Sequence, residues 1–94
     1  MTRSDLIRTV AERCGVPRAL ADRAVRVVFD RMASALREGR RVELRGFGVF
    51  EVRRRAARVG SDPRTGVPVA VPSRRHPHFH AGKALRARIQ TGAP

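Results

Sequence analysis

An α+β fold is predicted for this 94-residue chain by three observations. Apolar residues recur at helical spacing from Leu6 to Cys14 and again from Leu20 to Leu36. A glycine-pinned turn, Gly46-Phe47-Gly48, then opens a run that alternates with period two. Beyond Arg55 the apolar content thins to small residues, so that stretch has no core to face. The expected order is two N-terminal helices, a three-stranded antiparallel sheet with a protruding β-hairpin arm, and a short C-terminal helix.

The first helix opens at Thr2, which has capping-box spacing to Asp5, the shorter Asp replacing the usual Glu. Leu6, Ile7, Val10, Ala11 and Cys14 mark its inner face, and Gly15 ends it. Pro17 stands where a second helix begins, and that helix is expected to reach about Glu38, with Gly39 as its stop. Its apolar set includes Leu20, Ala21, Val25, Val28, Phe29, Met32 and Leu36, a stripe wider than helix 1 alone can cover. Arg23, Arg26, Asp30, Ser34 and Arg37 form the wet side.

Arg41 to Arg45 reads as a short strand with Val42 and Leu44 inward. Gly46 and Gly48 permit a tight reversal, with Phe47 between them plugging the core. The next strand sets Phe50 and Val52 against Val49, Glu51 and Arg53. A return strand from Val67 to Phe79 is interrupted by Pro68, Pro72 and Pro77, which suits an exposed or edge ribbon because proline donates no ladder hydrogen bond. Gly82 to about Gln90 forms the last helix, burying Leu85 and Ile89, and the tail of Thr91, Gly92, Ala93 and Pro94 is expected to fray.

The formal net charge is +13, from 21 Lys plus Arg against 8 Asp plus Glu, and the pI is near 12.0. Such a surplus favours a polyanionic partner and says little about fold. All the cations except Lys83 are Arg, whose planar fork suits phosphate, although G·C-rich codons produce the same bias. If residues 58–73 project outward, the remaining body is too small to be comfortably stable alone; two bodies sharing one core resolve this. The single Cys14 excludes an internal disulfide, and no stretch resembles a signal peptide or a membrane span. A cytoplasmic setting without a membrane partner is expected. Eight scattered carboxylates, one helical Cys and no nucleophile–base spacing offer no catalytic residue, so no enzyme is expected. Gly46-Phe47-Gly48 is too short for a nucleotide loop, and no cofactor is expected.

Three pieces carry a resemblance. They are Gly46-Phe47-Gly48-Val49-Phe50-Glu51-Val52 with Arg53-Arg54-Arg55, then Asp62-Pro63-Arg64-Thr65-Gly66, then Pro77-His78-Phe79-His80-Ala81-Gly82-Lys83-Ala84-Leu85. In order, spacing and chemistry they closely resemble the bacterial histone-like HU and integration host factor family, over about residues 2 to 90. The resemblance implies an HU/IHF-like intertwined dimer that grips and bends double-stranded DNA with paired β-arms and serves the nucleoid. Met32-Ala33-Ser34, Arg45-Gly46-Phe47-Gly48, Pro77-His78-Phe79 and Gly82-Lys83-Ala84-Leu85-Arg86 look like the beta branch of integration host factors, whose members pair with a different alpha chain. A self-pairing HU-like protein remains the other reading.

Asp62-Pro63 with Gly66 closing is a hairpin turn with a mechanism, and Pro63 on that ground alone is a turn former. The resemblance adds that Pro63 intercalates, wedging a base step open from the minor groove. That family is itself an established example of minor-groove binding, and kinks of about 20 to 90° are the known range for the wider class. The family's usual tip is Arg-Asn-Pro, whereas this chain has Ser61-Asp62-Pro63, two charge units less positive before Arg64 is counted. Shallower insertion, a smaller kink or weaker arm binding is expected from that departure.

Arg53, Arg55, Arg58, Arg74 and Arg75 flank the arm root, and residues 53 and 55 share one strand face, where they can track a phosphate row. Arg54 points the other way. Lys83 and Arg86 lie near the start of the last helix, whose N–H groups also favour phosphate, and by resemblance Lys83 holds the DNA backbone at the flank of the site. Arg3 and Arg45 are weaker candidates for the same surface. Phe47, Phe50 and Phe79 match the family's core aromatics, with Phe29 beside them on the shared helix stripe. His76, His78 and His80 share one strand face with no second Cys, Asp or Glu expected nearby to complete a metal site, so no metal is expected and protonation would simply add charge beside the DNA.

The chain therefore divides into a helical dimerisation base of about residues 2–39, a sheet of about 40–57 and 74–80, an arm of about 58–73, and a C-terminal helix of about 82–90. The expected function is architectural: binding duplex DNA through phosphates and minor-groove arms, as a homodimer or with a paralogous subunit, and stabilising bent or distorted sites. The alternatives are a site-preferring integration host factor subunit in recombination or transcription control, an RNA-binding basic protein, or a purely protein-binding dimer. The arms are expected to be mobile without DNA.

Overall fold

A computed structural model describes residues 1–92. Ala93 and Pro94, half of the tail expected to fray, lie outside the described residues. Three helices and five strands run in the order α1 (Arg3–Cys14), α2 (Arg18–Arg37), β1 (Val42–Leu44), β2 (Gly48–Arg55), β3 (Arg58–Ser61), β4 (Pro68–Val71), β5 (Arg74–Ala81) and α3 (Lys83–Thr91). The α+β class and the arm-bearing sheet read from the sequence are both present.

Helix α1 starts because its capping box closes. Thr2 Oγ1 accepts from the Asp5 N–H at 3.2 Å while the Asp5 carboxylate accepts from the Thr2 N–H at 2.9 Å. These bonds, joined by the charge of Arg8 at 3.2 Å, hold the Asp5 carboxyl below its usual value of 3.8. Gly15 takes the left-handed conformation, φ 63°, and ends the helix. Pro17 is the cap of α2 and not its first helical residue, with its carbonyl accepting from Leu20 and Ala21. Gly39, at φ 79°, stops α2. The helices close on Ile7, Ala21 and Val25, flanked by Leu6, Val10, Ala11 and Val16.

Strands β1, β2 and β5 form one antiparallel sheet in that order. Its register pairs Val42 with Phe50, Phe50 with Phe79 and Val52 with Pro77. Pro77 is tolerated because β5 is an edge strand. Gly46, at φ 83°, makes the β1–β2 turn. Gly48 is required for a different reason: a Cβ there would lie 2.6 Å from the His80 carbonyl oxygen and 2.7 Å from the Phe79 ring. Strands β3 and β4 form a separate two-stranded sheet, and Pro72 falls in the break between β4 and β5.

Burial departs from the sequence reading. Among the described residues only Ile7, Ala21 and Val25 are buried apolar side chains. Phe47 does not plug a core: it is 46% exposed, while Phe29 is 47% and Ile89 67% exposed. Leu44, read as inward, is also exposed, and α3 buries no residue. The physical reason is that no other element of the chain packs over these apolar faces among the described residues. The accessible surface is 7992 Å², against roughly 5,400 Å² for a compact monomer of 10.4 kDa. The radius of gyration, 19.0 Å, likewise exceeds the roughly 12 Å of a closed 94-residue domain. The end of the chain is more regular than expected, since Thr91 is helical and Gly92 caps α3 at φ 67°.

Candidate nucleic-acid interface

Strand pairing sets Arg55 opposite Arg74 and Arg54 opposite Arg75, at the place where the sheet ends and the arm begins. Directly paired residues share a face and successive residues alternate. One face therefore carries Glu51, Arg53, Arg55, Arg74, His76, His78 and His80. The other carries Phe50, Val52, Pro77 and Phe79, together with Arg54 and Arg75. Like charges placed directly across a ladder repel, so the Arg55–Arg74 pair costs stability unless an anion lies between them. Neither residue is in an ion pair with a carboxylate among the described residues.

Arg53 is held differently. Its Nη2 lies 3.0 Å from Glu51 Oε1, and its Nε donates to the same oxygen at 3.1 Å. The pair is exposed and adds little stability, but it orients the guanidinium along the sheet face. Sequence reasoning missed this partner, although the two-residue spacing on one strand was the signal for it.

Arg75 is the clearest change from the sequence reading, which grouped it with the phosphate-facing arginines. Its Nη2 donates to the carbonyl oxygens of Arg37 at 3.1 Å and Leu36 at 3.4 Å, at the C-terminal end of α2. A cation there satisfies orphan carbonyls and opposes the negative end of the helix dipole. Arg75 thus ties β5 to α2 on the apolar side of the sheet, facing away from Arg74. No sequence signal linked positions 37 and 75; only the tertiary approach of β5 to the end of α2 reveals it.

Beyond the root, Arg58 faces outward on β3 opposite Val71. The arm's other face holds Val59, Ser61, Pro68 and Ala70, with Val59 75% exposed. Residues 62–67 connect the strands. Asp62 N–H donates to the Val67 carbonyl at 2.9 Å, and Gly66 N–H donates to the Asp62 carbonyl at 2.7 Å. The Asp62 carboxylate folds inward on the turn, with Oδ1 accepting from the Arg64 N–H at 2.8 Å. Pro63 and Arg64 are exposed at the apex. Asp62 is thus a structural part of the turn as well as a charge, through an Asx bond the sequence reading overlooked.

On the body, Lys83 is the first residue of α3, whose cap, Gly82, brings no side-chain hydrogen bond and whose first turn holds no acid. Its unpartnered N–H groups and positive dipole end suit an anion. Arg86 lies one turn on, its N–H donating to the Gly82 carbonyl at 3.0 Å. Arg3 begins α1, and Arg45 lies in the β1–β2 turn, both exposed. On the opposite sheet face Phe50 and Phe79 meet at a centroid distance of 4.6 Å, and Phe47 lies 5.5 Å from Phe79. These rings and Phe29 border apolar surface, not the cationic face. From Arg53 onward the chain has ten Lys or Arg and a single acid, Asp62. No group of three His, Cys, Asp or Glu among the described residues could hold a metal ion.

The family model for bacterial DNA-binding proteins matches residues 1–90. The chain belongs to the bacterial DNA-binding protein family of HU and integration host factor. It is 48% identical over 92 residues to the integration host factor beta subunit of Ralstonia nicotianae, a match covering 95% of this chain and 65% of that protein. The chain thus spans just under two thirds of that relative's length. It is 46% identical over 90 residues to the DNA-binding protein HU of Geobacillus stearothermophilus, covering 96% of this chain and all of that one. Among solved structures it resembles HU in an Anabaena HU–DNA cocrystal, with a TM-score of 0.85, 36% identity, and 95% and 97% of the two chains covered. No helix among the described residues is long and apolar enough to cross a membrane.

Proposed function

We propose that this protein binds duplex DNA as a dimer, with Arg53, Arg55, Arg58 and Arg74 along phosphate rows and both arms in the minor groove, and that it stabilises bent DNA in the nucleoid. Lys83 and Arg86 hold the flanking backbone, with Arg3 and Arg45 at the margin. Arg75 is reassigned from this set to the frame that positions it. The carrying observation is the arm root, where Arg55 faces Arg74 with no carboxylate to neutralise either. Pro63, exposed at the turn apex, is the wedge that opens a base step, and the bend follows from the unstacking. Preference among sites then comes chiefly from deformability, since none of these groups reads the major groove.

If each subunit neutralises about 3 to 5 phosphates, the dimer covers roughly 6 to 10, and affinity falls about 10³- to 10⁵-fold between 50 and 200 mM salt. Competition of nicked DNA against linear DNA and duplex RNA, at physiological salt, tests the reading. Nicked DNA should win, because A-form RNA has a broad, shallow minor groove that offers a hairpin arm no wedge site. Preference for RNA would overturn the proposal, and the absence of any salt-dependent DNA retention would point to a protein-binding dimer.

The near-equal identities to an integration host factor beta subunit and to an HU keep a heterodimer as the second reading. A stable dimer of this chain alone, by size-exclusion mass, supports self-pairing. A monomer that dimerises only with a paralogous chain supports the heterodimer, with its use in recombination or transcription control.

A further inference from the structure

We infer that Asp62 gives the arm tip a preference for minor grooves that carry the guanine 2-amino group. This rests on the reading that the arms enter the minor groove. Three observations combine. Asp62 directly precedes Pro63, which sets it one residue from the proposed wedge. Its Oδ1 is already committed to the Arg64 N–H at 2.8 Å. Among the described residues its other carboxylate oxygen accepts no hydrogen bond, and no arginine forms an ion pair with it, Arg64 included.

An ionised carboxylate only accepts hydrogen bonds. In the minor groove an A·T pair presents only acceptors, adenine N3 and thymine O2, whereas a G·C pair adds one donor, the guanine 2-amino group. The free oxygen of Asp62 therefore meets repulsion at A·T and a partner at G·C. The wider field acts in the same direction, because A-tracts narrow the groove and deepen its negative potential. Arg64, exposed on the same turn, partly offsets the repulsion between the carboxylate and the phosphates.

The Asx bond makes the inference sharp. In Asp62→Asn the amide oxygen can keep the Arg64 N–H, so the turn survives. The atom not committed to Arg64 changes from an acceptor to an NH₂ donor. The preference should then invert toward A·T acceptors, whereas mere loss of charge would raise affinity for every sequence alike.

The test measures binding and bending of matched nicked duplexes containing guanine, or inosine in place of every guanine; inosine removes only the 2-amino group. A third duplex carries 2,6-diaminopurine in place of adenine, which adds that group to A·T pairs. Wild type should bind the guanine duplex about tenfold more tightly than the inosine duplex, and diaminopurine should tighten binding. Asp62→Asn should abolish or reverse both differences. Equal binding of guanine and inosine duplexes by wild type, while Pro63→Ala still loses bending, overturns the role of Asp62 and leaves the arm mechanism standing. An unchanged guanine preference in Asp62→Asn also overturns it. Bending that does not depend on Pro63 in any duplex removes the arm mechanism, and this inference with it.

Discussion

Arg74 and Arg75 are neighbours in sequence with opposite employment, which single-residue changes should expose. Arg75→Ala removes two hydrogen bonds to the end of α2 and should cost about 1 kcal/mol, or roughly 4 to 8 °C in Tm. It should leave the salt slope of DNA binding unchanged. Arg74→Ala should do the reverse, lowering that slope by about two units in a self-paired dimer, one contact per subunit, at unchanged or slightly raised Tm. Thermal melts paired with salt titrations check both. Asp5 gives a residue-scale pH prediction. Its folded carboxyl titrates below 3.8 because of the Thr2 bonds and the charge of Arg8. The capping contribution is therefore fully present above that pH and is lost as pH falls through the depressed value. Asp5→Asn should flatten the acid limb of a stability–pH curve below about pH 4, with no difference in the limb's shape near neutrality.

At the scale of elements, the sequence was legible wherever local chemistry decides the outcome. Thr2 and Asp5 specified the start of α1, Gly15 its end, and Gly39 the end of α2, since each acts through bonds to residues close in the chain. The arm was legible because a stretch of charged and small residues offers too little apolar area to build a core. What could not be read was register. Nothing in the run Ser73-Arg74-Arg75-His76 says which guanidinium shares a face with Arg55; the pairing of β2 with β5 decides it. The inward fold of the Asp62 side chain had a local signal, an Asp two residues before a free N–H, and the charge argument masked it. Gly48 makes the β2–β5 approach testable. Gly48→Ala should destabilise by about 1 to 3 kcal/mol, because the new methyl meets the His80 carbonyl and the Phe79 ring. Denaturant unfolding measures it, and Gly46→Ala, strained only by its positive φ, should cost less.

For the whole molecule, the exposed apolar surface is the dominant fact. The sequence reading placed Phe47, Leu44 and Ile89 in a core, and a single chain leaves each of them partly open. Their types were read correctly as apolar contact residues, but which chain they contact is not written in local pattern. If a second subunit completes the core, folding and association are one event, and Tm must rise with protein concentration. Melts across a hundredfold concentration range should show this. Phe29→Ala, at the open edge of α2, should lower Tm most in the dilute samples.

On the proposed function, paired arms bend DNA by inserting Pro63, while cations on the body supply most of the affinity. End-to-end energy transfer on a short doubly labelled duplex tests it directly, with wild type and Pro63→Ala compared at saturating protein. The account predicts that wild type brings the ends together, and that Pro63→Ala binds within about tenfold of wild-type affinity while leaving the duplex much straighter. Equal end-to-end distances with the two proteins would contradict it.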